Sequence, residues 1–301
     1  MTTDRAGIIY ADIHACLLQV KERVSGQKPF AIAPVLSLIE EIVDHPENLP
    51  LFFPLMMRTL PDHSYMISHQ ANTVFFTLKI GMSFHYSRKK LLEVGLCAVL
   101  HDVGIFTIDD VIVNKTGPLT DAEFNLIRTH SEAGWRLLAP FAEAYPSLPE
   151  VVYQHHEREN GRGYPRGLRG KEIHEYAQII GIIDCYEAIS NQRPHRKALL
   201  QSFSAKELVV QAKESLFPAS IIKAFLSEIT LYPVGSYVEL NSKVTCEVIA
   251  THPQYPLKPD LKVILDMEGN SIPDERIISL RDNPHFFIVD SVALNASPKT
   301  P

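Results

Sequence analysis

The chain has no CxxC pair. Its four cysteines, Cys16, Cys97, Cys185 and Cys246, lie far apart in 301 residues, which excludes a thiolate zinc site of the usual spacing and a disulfide framework. It also lacks an apolar run of the roughly 20 residues needed to cross a bilayer; "LLEVGLCAVL" and "IIGIID" are too short or too interrupted. The opening stretch "MTTDRAGIIYADIHACLL" is broken by Asp12 and His14, unlike a secretory signal. A cytoplasmic protein with no membrane span is therefore expected. Net positive charge is missing too: the formal net charge of -6 argues against a nucleic acid polymer as partner, because phosphate backbones are gripped by spread-out cations. Internal repeats and low-complexity tracts are absent, so solenoids and disordered linkers are set aside.

What remains is ordinary for a soluble globular protein: 46% hydrophobic and 21% charged residues, enough for one large domain or two modest ones. The cations are uneven. Arg158, Arg162, Arg166, Arg169 and Lys171 crowd one stretch, and Arg193, Arg196 and Lys197 follow, which suits a small anionic ligand.

Hydrophobic periodicity predicts a mainly α chain in three segments. Residues 1–61 form an N-terminal helical segment of unassigned role, in which "APVLSLIEEIVDH" carries Pro34 in its first turn and Val35, Leu38, Ile39 and Ile42 on one face. Residues 62–230 read as a helical bundle, including "SYMISHQANTVFFTLKIG", "TDAEFNLIRTHSEAGWRLLAPF" as one helix, and "SAKELVVQAKES". Capping boxes are expected at Thr120 with Glu123 and at Ser147 with Glu150. Residues 231–301 change texture: "GSYVELNSKVTCEVIATH", "DLKVILDMEG" and "HFFIVDSVAL" alternate and are β-branched, which predicts a small antiparallel β subdomain. "NASPKTP" reads as a tail.

Thirteen histidines are too many to be ligands at once, so their places on the predicted helices must sort them. His101 and Asp102 end one apolar helix, His130 lies within another, and His155 and His156 end a third. His69 sits early in the first bundle helix, and Asp184 interrupts "QIIGIIDCYEAI". A single helical histidine is more often a packed residue than a ligand, and Asp184 could meet an arginine. Adjacent helical residues diverge by about 100°, so these pairs share one atom only where several helices converge, as they do in di-iron and di-manganese bundles. Imidazoles with carboxylates suit iron, manganese or zinc better than magnesium or calcium.

The succession "HDVG", "HSEAG", "HHERENGRGYPRGLRGKEI" and "IIDCYEAISNQRPHR", preceded by "SHQANTV", resembles the HD-GYP subgroup of the HD phosphohydrolase superfamily over about residues 62 to 200. The resemblance implies a helical domain holding two divalent metal ions, iron first and manganese second. His69, His101 and Asp184 would serve one ion, and His130, His155 and His156 the other. Asp102 would bridge both and position a nucleophilic hydroxide between them. It also implies hydrolysis of cyclic di-GMP, a signalling second messenger. Gly163, Tyr164 and Pro165, the GYP turn, with Arg193 and Arg196 would contact that substrate, the arginines forking onto phosphate oxygens.

The sequence departs from the family pattern in places. The lysine of HDxGK is Ile105, which removes a cation from the reacting centre. Asn160-Gly161 replaces the usual pair before GYP, His195 replaces a tyrosine, and the second acid on the Asp184 helix is Glu187. Tyr65 stands where some members carry the glutamate of a third metal site, so two ions are expected. These departures keep open a catalytically weak or inactive cyclic di-GMP-binding module. Another phosphomonoesterase or cyclic-dinucleotide hydrolase is a third reading. Dimerisation or a signalling-protein partner is conceivable through residues 1–61.

Overall fold

The computed structural model describes residues 3–56, 65–190, 214–228, 232, 234–252, 255, 257–272 and 276–292. The chain divides into two compact units, Met1–Ala198 with Val210–Ile222, and Leu199–Val209 with Lys223–Pro301.

The first unit is helical: α1 Thr3–Ser25, α2 Ala33–Asp44, α3 Phe53–Met56, α4 Tyr65–Ser83, α5 Arg88–Leu100, α6 Asp110–Val113, α7 Asp121–Arg128, α8 His130–Leu138, α9 Ser147–Gln154 and α10 Glu175–Ser190. Its centre is α4, which packs on α5, α10 and α1. Ile67, Ala71, Val74, Phe75 and Leu78 of α4 are fully buried, as are Val94, Leu96 and Val99 of α5 and Ile179, Ile180, Ile182 and Ile183 of α10. A helix apolar nearly all round is stable only inside such a layer, and each buried aliphatic side chain contributes roughly 1.5–3 kcal/mol. The seams between these helices are where polar residues come together.

Two local expectations change, the helix through His130 and the cap at Ser147, and one helix is added within the N-terminal helical segment. The segment preceding α2 is a long helix, α1, whose buried residues Ala6, Ile9, Tyr10, Ile13, Leu17, Val20 and Val24 recur at helical spacing. The helix expected through His130 breaks at Thr129. There the Thr129 hydroxyl donates to Leu126 O at 2.6 Å and His130 Nδ1 meets Ile127 O at 2.7 Å, so side chains compete for the carbonyls that a continuing helix would use. Thr120 and Glu123 form the expected capping box. Ser147 with Glu150 do not: the Ser147 N–H donates to Glu93, while Glu150 accepts from Gln154 and Arg166. Pro34 lies in the first turn of α2 as expected. Most of "SAKELVVQAKES" lies outside the described residues, as does the tail.

In the second unit, a short helix Ala219–Glu228 runs into it from the first. Its five-stranded antiparallel sheet consists of β1 Tyr237–Leu240, β2 Thr245–Ala250, β3 Asp260–Leu265, β4 Ile277–Ser279 and β5 Ile288–Val292, in the order β4-β3-β2-β1-β5. Val238, Leu240, Cys246, Val248, Leu261, Val263 and Ile278 face inward at alternate positions, the period-2 pattern of a sheet with one covered face. No helix of the described residues is long and apolar enough to cross a membrane.

Candidate metal centre

Five helices converge on one buried locus. α4 supplies His69, the end of α5 supplies His101 and Asp102, α8 opens with His130, His155 and His156 follow α9, and α10 supplies Asp184. All are buried except the half-buried His156. Two groups of potential ligand atoms form, Asp102, His130, His155 and His156 in one and His69, His101 and Asp184 in the other, each with its atoms within 4.8 Å of one another.

Asp102 faces both groups. Its Oδ2 lies 3.5 Å from His101 Nε2 and 3.8 Å from His69 Nε2, and its Oδ1 lies 3.2 Å from His130 Nε2 and 3.4 Å from His155 Nε2. Asp184 reaches from His69 Nε2, at 3.2 Å, to His156 Nδ1, at 3.6 Å. Among the described residues its partners are these imidazoles rather than an arginine.

Local backbone aims the rings. The Nδ1–H groups of His101, His130 and His155 donate to the carbonyls of Ala98, Ile127 and Val152, each at 2.7 Å. A carbonyl can only accept, so Nδ1 carries the proton and Nε2 is turned inward as a ligand atom. His69 differs: its Nδ1 is held by the Glu187 carboxylate. His69 and His101 then face each other through Nε2 at 3.3 Å, as do His130 and His155.

Lone pairs this close repel unless a proton or a cation lies between them. Burial opposes charge on His69, yet Glu187 and Asp184 outweigh it and push its pKa up to about 10. His130 is raised in the same way, against burial, by Asp102. Burial lowers His101 to about 4 and holds His156 well below its usual value. For Asp102 and Asp184 burial favours the neutral acid, but the surrounding imidazoles win and both stay below the ordinary carboxylate range. In the chain by itself, then, His69 and His130 are drawn toward their protonated forms beside Asp184 and Asp102, which are held toward their ionised forms. Buried Asp102 Oδ1 has only the Nε2 atoms of His130 and His155 beside it, at 3.2 and 3.4 Å, a costly state for a carboxylate oxygen unless a proton or a cation lies between. Divalent cations in place of those protons fit this donor set.

The arginine-rich stretch forms one wall. Tyr164 stacks on His156, with ring centroids 4.6 Å apart, and the Arg128 guanidinium stands 4.4 Å over the Tyr164 ring. Gly163 sits where a Cβ would come within 2.5 Å of Glu157 Cα and His156 O, so close approach to the chain's own backbone by itself requires glycine there. Pro165 follows in the same turn. Arg193, Arg196 and His195 lie outside the described residues.

Four residues have no role here in the sequence reading, Glu187 entering it only as a departure from the family pattern. Glu157, buried, accepts from the N–H groups of Arg166 and Leu168 and so ties the loop to the histidine pair. Arg128 caps Tyr164, and Asn72 and Glu187 lie behind His69. A glutamate directly after His155-His156 and a carboxylate one helical turn past Asp184 were visible signals; nothing in the sequence singled out Asn72 or Arg128.

Comparison with known proteins bears on this arrangement. A family model described as an HD domain matches residues 54–221, and one described as a KOW domain associated with an HD domain matches residues 237–299. A Pseudomonas aeruginosa protein named cyclic di-GMP phosphodiesterase is 29% identical over 249 residues, covering 81% of this chain and 58% of the relative. A Vibrio cholerae protein named 3'3'-cGAMP-specific phosphodiesterase 3 is 30% identical over 135 residues, 45% of this chain and 29% of its own. The chain thus spans little more than half of the first relative. Among solved structures, an HDG"Y"P protein from Bdellovibrio bacteriovorus superposes with a TM-score of 0.60 at 16% identity, covering 74% of this chain and 71% of that one, which speaks for the fold. With more than half its length under the HD model and the HD, HSEAG, HH and GYP residues gathered at one locus, this chain belongs to the HD domain family, in its HD-GYP group.

Proposed function

We propose that the chain is a metal-dependent phosphodiesterase that hydrolyses cyclic di-GMP at a centre of two divalent ions, iron first and manganese second. The observation carrying this reading is Asp102, whose two oxygens are directed at imidazoles of both ligand groups. Bound there, the ions would act as Lewis acids on a phosphodiester and make water a usable nucleophile near neutral pH.

The chain's own residues do the rest. Asp102 and Asp184 set the spacing of the two groups and supply the negative charge that holds them. Ala98, Ile127 and Val152 fix the ring orientations through their carbonyls. Tyr164, stacked on His156 and covered by the Arg128 guanidinium, forms a wall of the site, and Arg128 offers a cation to a phosphate. Gly163 and Pro165 shape that wall, and Arg193 and Arg196 are the further phosphate contacts in this reading. The test is chromatography of cyclic di-GMP incubated with anaerobically prepared iron- or manganese-loaded chain. Steady formation of linear dinucleotide or GMP supports the reading, and saturable binding without product rejects it.

One observation favours the weaker alternative, a module that binds cyclic di-GMP with little turnover. Ile105, in the place of the family lysine, is 5% exposed and lies with Met66 and Phe106 around a small cavity, so no ammonium reaches the centre from this position. Ile105→Lys is expected to raise turnover at unchanged metal content, by about tenfold, which corresponds to about 1.4 kcal/mol of transition-state stabilisation. An unchanged rate in a chain that still binds metal and nucleotide discards the missing cation as the limit. A fall in thermal midpoint is expected alongside, because a second ammonium is placed at a buried position that already faces Lys21.

A further inference from the structure

We propose that Glu187 is the positioning residue of His69, and that helix α1, acting through Tyr10 and Asn72, sets how tightly the His69, His101 and Asp184 group holds its ion. This rests on the reading of His69 as a metal ligand.

His69 is oriented unlike its neighbours. His101, His130 and His155 each donate Nδ1–H to a backbone carbonyl three residues earlier, a partner that belongs to the same turn and cannot be adjusted from elsewhere. His69 Nδ1 instead meets a carboxylate from a different helix. A charged acceptor behind a ligating imidazole fixes its tautomer and raises the basicity of the nitrogen that binds the metal.

That carboxylate is itself held. Asn72 Nδ2 donates to Glu187 Oε1 at 2.9 Å, and Tyr65 OH donates to Glu187 Oε2 at 3.2 Å. Tyr10 OH of α1 donates to Asn72 Oδ1 at 2.8 Å. The direction of this line is determined throughout. A carboxylate only accepts, so Asn72 must turn its amide nitrogen to Glu187 and its oxygen to α1, and Tyr10 must then donate. Tyr10, Asn72, Glu187 and His69 are all buried, so water cannot replace a broken link.

Tyr10 is packed as well as bonded. Its ring lies 5.9 Å from Phe75 of α4 and 4.5 Å from His14 of its own helix. A shift of α1 across α4 therefore moves the hydroxyl relative to Asn72. Helix α1 precedes the stretch matched by the HD model, so nothing in that match gives it a role. Its place at the far end of a buried polar line makes it the element through which a change at the N-terminal segment reaches one metal group and leaves the other, aimed by backbone carbonyls, untouched.

The test uses the full chain stripped of metal and titrated with Mn(II) against a competing chelator, for the wild type, Glu187→Gln and Tyr10→Phe. Glu187→Gln is expected to weaken one ion by about 10–100-fold and leave the other unchanged. Tyr10→Phe should weaken the same ion by about three- to tenfold, the worth of one hydrogen bond. His101→Ala should remove that ion, and adding Glu187→Gln to His101→Ala should then leave the remaining affinity where it was. Wild-type affinity for both ions in Glu187→Gln, or equal weakening of both, overturns the positioning role. No change in Tyr10→Phe overturns the role of α1. A wild-type chain that takes up no Mn(II) overturns the reading of His69 itself, and is thereby told apart from failure of this inference.

Discussion

Asp102→Ala is expected to release both metal ions at once and to lower hydrolysis by at least about 10³-fold, since several kcal/mol of transition-state stabilisation would rest on those ions. The reason is its position. Its two oxygens are directed at four imidazoles, His69 and His101 on one side and His130 and His155 on the other, whereas Asp184 is directed at His69 and His156. Removing Asp102 also takes away the carboxylate that raises the buried His130 imidazole, which destabilises the metal-free fold. Asp102→Asn separates the two effects, because it keeps the shape and one oxygen while losing the charge: it should fold better than the alanine variant and still lack metal. Metal analysis of the purified variants with thermal melts checks this. Full metal content in Asp102→Ala would mean the carboxylate does not bridge.

Gly104→Ala carries the second-largest effect, and it acts without touching a ligand side chain. Gly104 lies in the turn Val103–Thr107 that follows Asp102, and a Cβ there would stand 2.0 Å from His130 O and 2.5 Å from Gly134 N. Both are backbone atoms, so neither can rotate aside, and the start of α8 must move away from Asp102. Overpacking typically costs about 1–3 kcal/mol, and a clash with backbone belongs at the top of that range. In a protein of this size that lowers the thermal midpoint by about 5–10 °C. Because His130 opens α8, its Nε2 should leave the 3.2 Å contact with Asp102. The variant should accordingly lose the ion of the His130, His155 and His156 group before that of the His69 group. Melting at the wild-type temperature with both ions retained would show that the two backbones have room to part.

The helices and the ligand candidates were legible because each rests on a local signal. Amphipathic spacing marks α4, α5 and α10, and a histidine or aspartate inside an otherwise apolar helix is costly enough to point to a partner. Signals that depend on competition were not legible. The break at Thr129 arises because two side chains take carbonyls of the preceding turn, and Ser147 fails as a cap because Glu93, far away in sequence, takes its N–H. The packing that requires glycine at Gly163 was not legible either, because the atoms a Cβ would meet, Glu157 Cα and His156 O, come close only once the loop folds back. Glu187 was noticed only as a departure from a pattern; its role needs Asn72 and Tyr10, on two other helices, to be in place. Helix α1 carried its apolar spacing openly and was passed over because no chemistry was visible in it.

The central claim is that two ions sit close enough to share the Asp102 carboxylate. Electron paramagnetic resonance of the Mn(II)-loaded chain tests it most directly. The account predicts two manganese ions per chain and the spectrum of an exchange-coupled pair, replaced in Asp102→Ala by signals of unbound ion. A single ion per chain at saturation, or two ions giving only the spectrum of isolated Mn(II), would contradict it.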